Sequence, residues 1–339
     1  MQTNKIIFVK CGVVLSFLLI VCYGIRHRQR IVEEIDATYR CYDSWKRNSN
    51  LDRIITLPIL KDNPDEWYVK HRVIAHGGGG IDGKTCTDSR EAIELAYSNG
   101  TRMFDIDILE TIDHVWVCRH GWLDNLEQDA RFRAGETRTF QWDIEQLRYN
   151  LQPENAKRLD YRSFIQTKPY HKYTPITLND FIAFMKKHDD VWLIADLGYS
   201  VADKYKKIYN SMLKNLSFDV KQRIVVTFNL YEDAAKIRKI SPNVKLQLKR
   251  YGMKDENYYD VAKFCIDNDV HALNLSIYNV KDKGIKYLNS RGIHVFFAAV
   301  DFLSDYQYCI SQGASGIVSN FLFENGVDII LGLKLYKRR

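Results

Sequence analysis

Eight short apolar runs, at residues 73–75, 102–108, 191–196, 224–228, 244–248, 272–276, 293–300 and 316–319, recur along this chain, mostly separated by stretches of helical period. Apolar runs bounded by turn residues read as buried strands, and apolar residues returning every three or four positions between them read as helices with one covered face. A parallel strand needs a crossover to bring the chain back to its starting end, and a ring of such strands has no open edge. The expected fold is therefore α/β, a closed (β/α)8 TIM barrel. Helical candidates are SREAIELAYSNG (89–100), TLNDFIAFMKKH (177–188), YEDAAKIRKI (231–240) and KDKGIKYLNSRG (281–292), three of which end near Gly or His.

One pair of runs breaks the alternation. Between FDIDIL and VWVCRH lie only the five residues ETIDH, too few for a crossover helix, so the two should form an antiparallel hairpin extending barrel strand two. Such a hairpin carries His120 back over the barrel mouth. The segment at about 121–176, aromatic and charged without a clear period, reads as an insertion covering one side of that mouth.

The barrel domain then spans 71–330, with a short basic tail at 331–339. Ahead of it, Ile6 to Ile25 is apolar except for Lys10 and a few small or mildly polar residues, close to the roughly 20 residues a bilayer crossing needs. Val21-Cys22-Tyr23 offers no signal-peptidase or lipoprotein pattern, so residues 1–30 are expected to be a single-pass N-terminal transmembrane helix and membrane anchor. Lys5 and Lys10 before the span balance Arg26, Arg28 and Arg30 after it, which leaves the orientation open. Residues 31–70 read as a stalk or linker with partial helical amphipathicity.

Composition narrows the partners. A net charge of +7, from 49 basic and 42 acidic residues, is a modest bias toward anionic substrates or membrane surfaces. No basic tract or nucleic-acid motif accompanies it, so no nucleic acid is expected as a partner. The seven cysteines are odd in number and lack C-x-x-C spacing, which argues against a zinc site or a disulfide scaffold.

Chemistry concentrates between residues 73 and 122. His76 closes the run Val73-Ile74-Ala75, and Asp105 and Asp107, two apart on a strand, point from the same face. Two such carboxylates can share a metal ion, and His120 ends a further apolar run. An imidazole on each side of a carboxylate-held cation suits metal-assisted phosphodiester cleavage. Asp196, in WLIADLG, falls at another strand end, the end where barrels of this kind keep their active sites. Gly77 to Gly80 read as a turn, with backbone contact to phosphate as a lesser alternative, because a lone glycine-rich loop is weak evidence for phosphate. Lys249, at the end of a strand in LQLKR, is either a substrate-binding charge in the site or a solvated loop lysine; Arg90 and Arg119 read as surface ion pairs, and His171 and His294 as surface or packing residues.

Taken in order, His76-Gly77-Gly78, Thr87-Asp88-Ser89 before Glu91-Ala92, Asp105-Ile106-Asp107, His120-Gly121, Asp196, GIHVFFAAVD and GASGIVSNFL resemble the glycerophosphodiester phosphodiesterase family, within the phospholipase C-like phosphodiesterase barrels. The resemblance covers about residues 71–330. It implies a phosphoric diester hydrolase in which His76 and His120 trade protons as base and acid in an order left open. Asp105, Asp107 and Asp196 would then ligate one divalent cation, Mg²⁺ or Ca²⁺, both of which take hard oxygen donors. The implied substrate is a glycerophosphodiester or a lipid-derived phosphodiester. The chain departs from the family pattern where Gly77 replaces an Arg, Gly198 replaces a Lys, and the Trp usual near strand seven is lost within FFAAV. With positive charge removed near the phosphate, two alternatives stand beside the first. One is a phospholipase, sphingomyelinase D-like or phospholipase C-like, on intact or lyso lipids; the other is a non-catalytic phosphodiester-binding barrel.

Overall fold

The computed structural model describes residues 57–122, 158–198, 200–250, 258–277 and 282–327. In chain order the elements are α1 (Trp67–Lys70), β1 (Val73–His76), α2 (Arg90–Ser98), β2 (Met103–Glu110), β3 (Trp116–Cys118), α3 (Tyr161–Gln166), α4 (Leu178–Lys187), β4 (Trp192–Asp196), α5 (Val201–Ser211) and α6 (Phe218–Gln222). They continue with β5 (Ile224–Phe228), α7 (Tyr231–Ile240), β6 (Lys245–Arg250), α8 (Tyr258–Asp267), β7 (Ala272–Ser276), α9 (Asp282–Ser290), β8 (His294–Ala298), α10 (Leu303–Ser311) and β9 (Gly316–Ser319). Strands β1, β2, β4, β5, β6, β7, β8 and β9 pair in parallel, and β1 bonds both β2 and β9, which closes the ring. The eight apolar runs are these strands. β3 pairs antiparallel with the far half of β2, Ile108 opposite Cys118, so the short connection does make a hairpin.

Period two sorts each strand between two environments. Phe104, Ile106 and Ile108 of β2 face outward and pack with Ile93 and Ala96 of α2 and Phe181 and Met185 of α4 in the layer between sheet and helices. Ile74, Met103, Ile194, Val225, Ala272, Phe296 and Val318 face inward and fill the lower barrel. α4 starts where its sequence says it should: the Thr177 hydroxyl accepts the N–H of Asp180 while the Asp180 carboxylate accepts the N–H of Thr177.

The barrel unit begins earlier than residue 71. Trp67 and Tyr68 of α1 join the inward cluster and plug the amino ends of the strands, with the Trp67 ring 5.4 Å from that of Phe296. Leu60 donates its N–H to the Arg291 carbonyl at 2.9 Å, and Arg291 returns a side-chain bond to Leu57 O at 2.6 Å. Residues 57–70, expected in the stalk, thus belong to the folded body because a barrel end needs an apolar lid that the strands themselves do not supply. Within the expected insertion, Asp160 caps α3 through the Ser163 N–H at 2.6 Å. Residues 1–56, 123–157 and 328–339, which carry the expected anchor, most of the stalk, most of the insertion and the tail, lie outside the described residues. Among the described residues no helix is long and apolar enough to cross a membrane.

Trp67 is 1% exposed. Replacing it with Ala should cost about 3–5 kcal/mol, read as a lower urea midpoint; a midpoint within error of wild type would show that α1 is no plug.

Candidate active site at the carboxyl ends of the strands

Two residues beyond the inward apolar positions Ile74, Met103 and Ile194 stand His76, Asp105 and Asp196, so the face that fills the lower barrel turns polar at its carboxyl end. Pairing sets their neighbours: His76 is in register with Asp105 across β1 and β2, and Asp107 with Asp196 across β2 and β4. The hairpin continues this ladder, Arg119 donating its N–H to the Asp107 carbonyl at 2.8 Å, which returns His120 to the mouth. There His120 lines a cleft with Cys86, Thr87, Cys118, Arg119 and Gly121. Arg119 turns its guanidinium to the Gly121 carbonyl and the Thr167 hydroxyl, so it belongs to the cleft wall. His294 bonds Asp62 at 2.9 Å and packs on Tyr68 at the opposite end, the packing role expected of it.

His76 is held by a relay. Asn320, just past β9, donates from its backbone N–H to Asp301 Oδ1 and from Nδ2 to Asp301 Oδ2, both at 2.7 Å. Its amide oxygen is thereby turned to His76 Nδ1 at 3.0 Å. An amide oxygen only accepts, so the neutral form of His76 carries its proton on Nδ1 and presents Nε2 with a lone pair. Asn320 and Asp301 were not legible as site residues; they lie at the ends of β9 and β8, brought to His76 only when β9 closes on β1.

The acids form one electrostatic unit. Burial pushes Asp107 up to about 6, Asp196 and Asp105 adding to the rise against the pull of His120 and His76. Asp105, 4% exposed, is also raised by burial, with the Lys249 charge opposing. Burial would raise Asp196 as well, but the charge and hydrogen bond of Lys249 and the Gly198 N–H at 2.8 Å bring it down to about 2. A fourth acid, Asp88, is fully buried and well above the usual carboxylate range, from desolvation first and then the charge of Asp107. Asp88 Oδ1 accepts the Asp107 N–H at 3.4 Å. In the sequence it stands within Thr87-Asp88-Ser89, part of the family resemblance, but beside the helix cap Ser89 an Asp is ordinarily a turn residue, so no site role was read for it.

Lys249 is no solvated loop lysine. It is 5% exposed, with its ammonium 2.6 Å from Asp196 Oδ2 and 3.3 Å from Asp105 Oδ2. The glycines also find their reason. Gly77 has φ +53°, and a Cβ there would lie 2.5 Å from the Cys86 Cα, so no larger residue fits without moving that backbone. Gly78, Gly79 and Gly80 donate their N–H groups to the carbonyls of Asp105, His76 and Asn320. That is turn geometry, as expected, with these amides already used inside the protein.

With this geometry in view, residues 80–323 match the glycerophosphoryl diester phosphodiesterase family, and the chain belongs to it. Its members are phosphodiesterases that hydrolyse glycerophosphodiesters. The fold matches a glycerophosphodiester phosphodiesterase from Parabacteroides distasonis at 15% identity and TM-score 0.56, over 78% of this chain and 98% of that one. It also matches an Oleispira antarctica phosphodiesterase in complex with the product sn-glycerol-3-phosphate, at 12% identity and TM-score 0.57, over 77% and 96%. No curated protein matches by sequence.

The family generally depends on a divalent cation. The donor chemistry of Asp105, Asp107 and Asp196 suits Mg²⁺ or Ca²⁺, but their arrangement does not fit one as it stands. Lys249 occupies an oxygen of two of the three, and among the described residues no three Asp, Glu, His or Cys side chains are grouped to hold an ion.

For Asp107 the pH consequence has a definite sign. Its folded pKa, about 6, lies above the unfolded value, so ionising it costs stability as pH rises from about 4 through 6. Asp107→Asn should therefore be more stable than wild type at pH 8 by about 2 kcal/mol, with the gap closing by about pH 4. Thermal melts in EDTA across that range check it; a gap that widens on acidification would refute it.

Proposed function

We propose that this chain hydrolyses a glycerophosphodiester or a lipid-derived phosphodiester, using His76 as general base and His120 as general acid. The observation that carries the reading is the Asp301–Asn320–His76 relay, which leaves His76 Nε2 as an acceptor at the mouth. In the forward step His76 Nε2 takes a proton from water, the water oxygen forms a bond to phosphorus, and the bond from phosphorus to the leaving alcohol breaks. Protonated His120 then gives its proton to the departing alkoxide. The expected products are an alcohol and a phosphomonoester, the class to which the sn-glycerol-3-phosphate named for the Oleispira structure belongs. No step here passes through a metal. The Mg²⁺ or Ca²⁺ drawn from the sequence resemblance is the part of the expectation that the present arrangement of Lys249 supports least.

A lipid-derived substrate has its own support. Leu230, Phe302 and Phe321, which follow the carboxyl ends of β5, β8 and β9, are 54%, 71% and 37% exposed. Apolar side chains on the same rim as the acid–base pair suit an acyl-bearing phosphodiester, which keeps the phospholipase reading as the alternative. The non-catalytic reading has less support, since the relay orients an imidazole proton that mere binding would not require.

His76→Ala and His120→Ala should each lower kcat by about 10²- to 10⁴-fold with unchanged thermal melting, measured on glycerophosphocholine, lysophosphatidylcholine and sphingomyelin with identification of the released alcohol. Full activity of either variant on the best substrate would end the two-histidine mechanism, and no turnover by wild type on any of the three would favour the binding barrel. We further propose that residues 6–25 anchor the protein in a membrane. The full chain should then stay with membranes through a carbonate wash, and its release would end that reading.

A further inference from the structure

We propose that Lys249 is the resident cation of this centre, its ammonium holding the carboxylates of Asp105 and Asp196 where a divalent ion would otherwise bind and so admitting an anionic phosphodiester beside them. The inference rests on the function proposed above for the nature of the substrate, but its evidence is geometric. β6 alternates Leu246 and Leu248 outward with Gln247 and Lys249 inward, so the side chain is directed into the barrel by strand period alone. It reaches Asp196 of β4 past the intervening β5 and Asp105 of β2 one strand further round the ring, and it is 5% exposed. Lysines are almost never buried unless paired, and here Asp105 and Asp196, two acids of the candidate site, are partners.

That placement has two consequences. A divalent ion needs carboxylate oxygens at about 2.0–2.6 Å, yet Oδ2 of Asp105 and Oδ2 of Asp196 are both turned to the ammonium. An ion taking those oxygens would stand beside a buried positive charge in a site of low dielectric, so the ammonium and the ion exclude one another. The second consequence concerns the substrate. Asp88, Asp105, Asp107 and Asp196 lie close enough to perturb one another, and without a cation this group would repel a phosphodiester. Lys249 supplies a fixed charge that cannot be removed by chelation or dilution.

The test is binding, measured on the full chain independently of turnover. After EDTA treatment and dialysis, Mg²⁺, Ca²⁺ and Mn²⁺ are titrated calorimetrically into wild type, Lys249→Met and Lys249→Arg, and inorganic phosphate is titrated in EDTA. Wild type and Lys249→Arg should show no stoichiometric site for any of the three ions. Lys249→Met should take up one ion per chain, roughly 10- to 100-fold more tightly than wild type, and should bind phosphate correspondingly more weakly in EDTA. One ion per chain bound at micromolar concentration by wild type overturns the proposal, and so does a Lys249→Met variant with unchanged ion and phosphate affinities. If Lys249→Met does not fold, the wild-type ion titration decides alone. These readouts also separate the two readings: an inactive wild type that excludes ions and binds phosphate sinks the catalytic function and leaves the resident cation standing.

Discussion

Everything in this molecule depends on a change of character halfway along the inward face of β1, β2 and β4. Because side chains alternate, the residue two positions beyond a core residue must face the same interior, whatever its polarity. Ile74 is followed on that face by His76, Met103 by Asp105 and Ile194 by Asp196. Below the change the interior is packed with aliphatic and aromatic side chains under the Trp67 plug; above it are acids, an ammonium and an imidazole. The closed ring makes both halves necessary, since it leaves no edge through which a misplaced polar group could reach water.

The polar half is costly, and the structure shows how it is held. Burial alone would push every acid there toward its neutral form. Lys249 selects which acid escapes: Asp196 stays ionised down to about 2, whereas Asp107 is raised to about 6 and Asp88 well above its usual range. One ammonium thus lowers Asp196 while burial raises Asp105, Asp107 and Asp88. The same pairing bears on the way the site meets an anion, because the carboxylates nearest the ammonium are those already neutralised by it.

Orientation is supplied separately from charge. Asp301 fixes the Asn320 amide, and the Asn320 amide fixes the His76 tautomer, three residues contributed by strand ends that meet only at the closure of β9 on β1. The opposite imidazole arrives by another device, a hairpin too short to cross the barrel, whose register with β2 returns His120 to the mouth. The two histidines are thus positioned by different parts of the chain.

Local pattern was sufficient for the architecture. Period two in the apolar runs, helical period between them and the five-residue gap at 110–114 determined eight parallel strands, their covering helices and the one hairpin, because each is set by short-range spacing. His76, Asp105, Asp107 and Asp196 were legible for the same reason, as polar residues closing or interrupting apolar strands. Asp88, Asp301 and Asn320 stand in segments that carry the family resemblance, but their site roles were not legible, since each sits in a loop where Asp and Asn are ordinary turn residues, and only the folded barrel brings them against the strand-borne site. Lys249 stood between two readings in the sequence, a loop lysine or a charge in the site. The tertiary structure decided it, because the approach of an inward side chain on β6 to the acids of β4 and β2 depends on strand order and register around the barrel and is written in no local spacing.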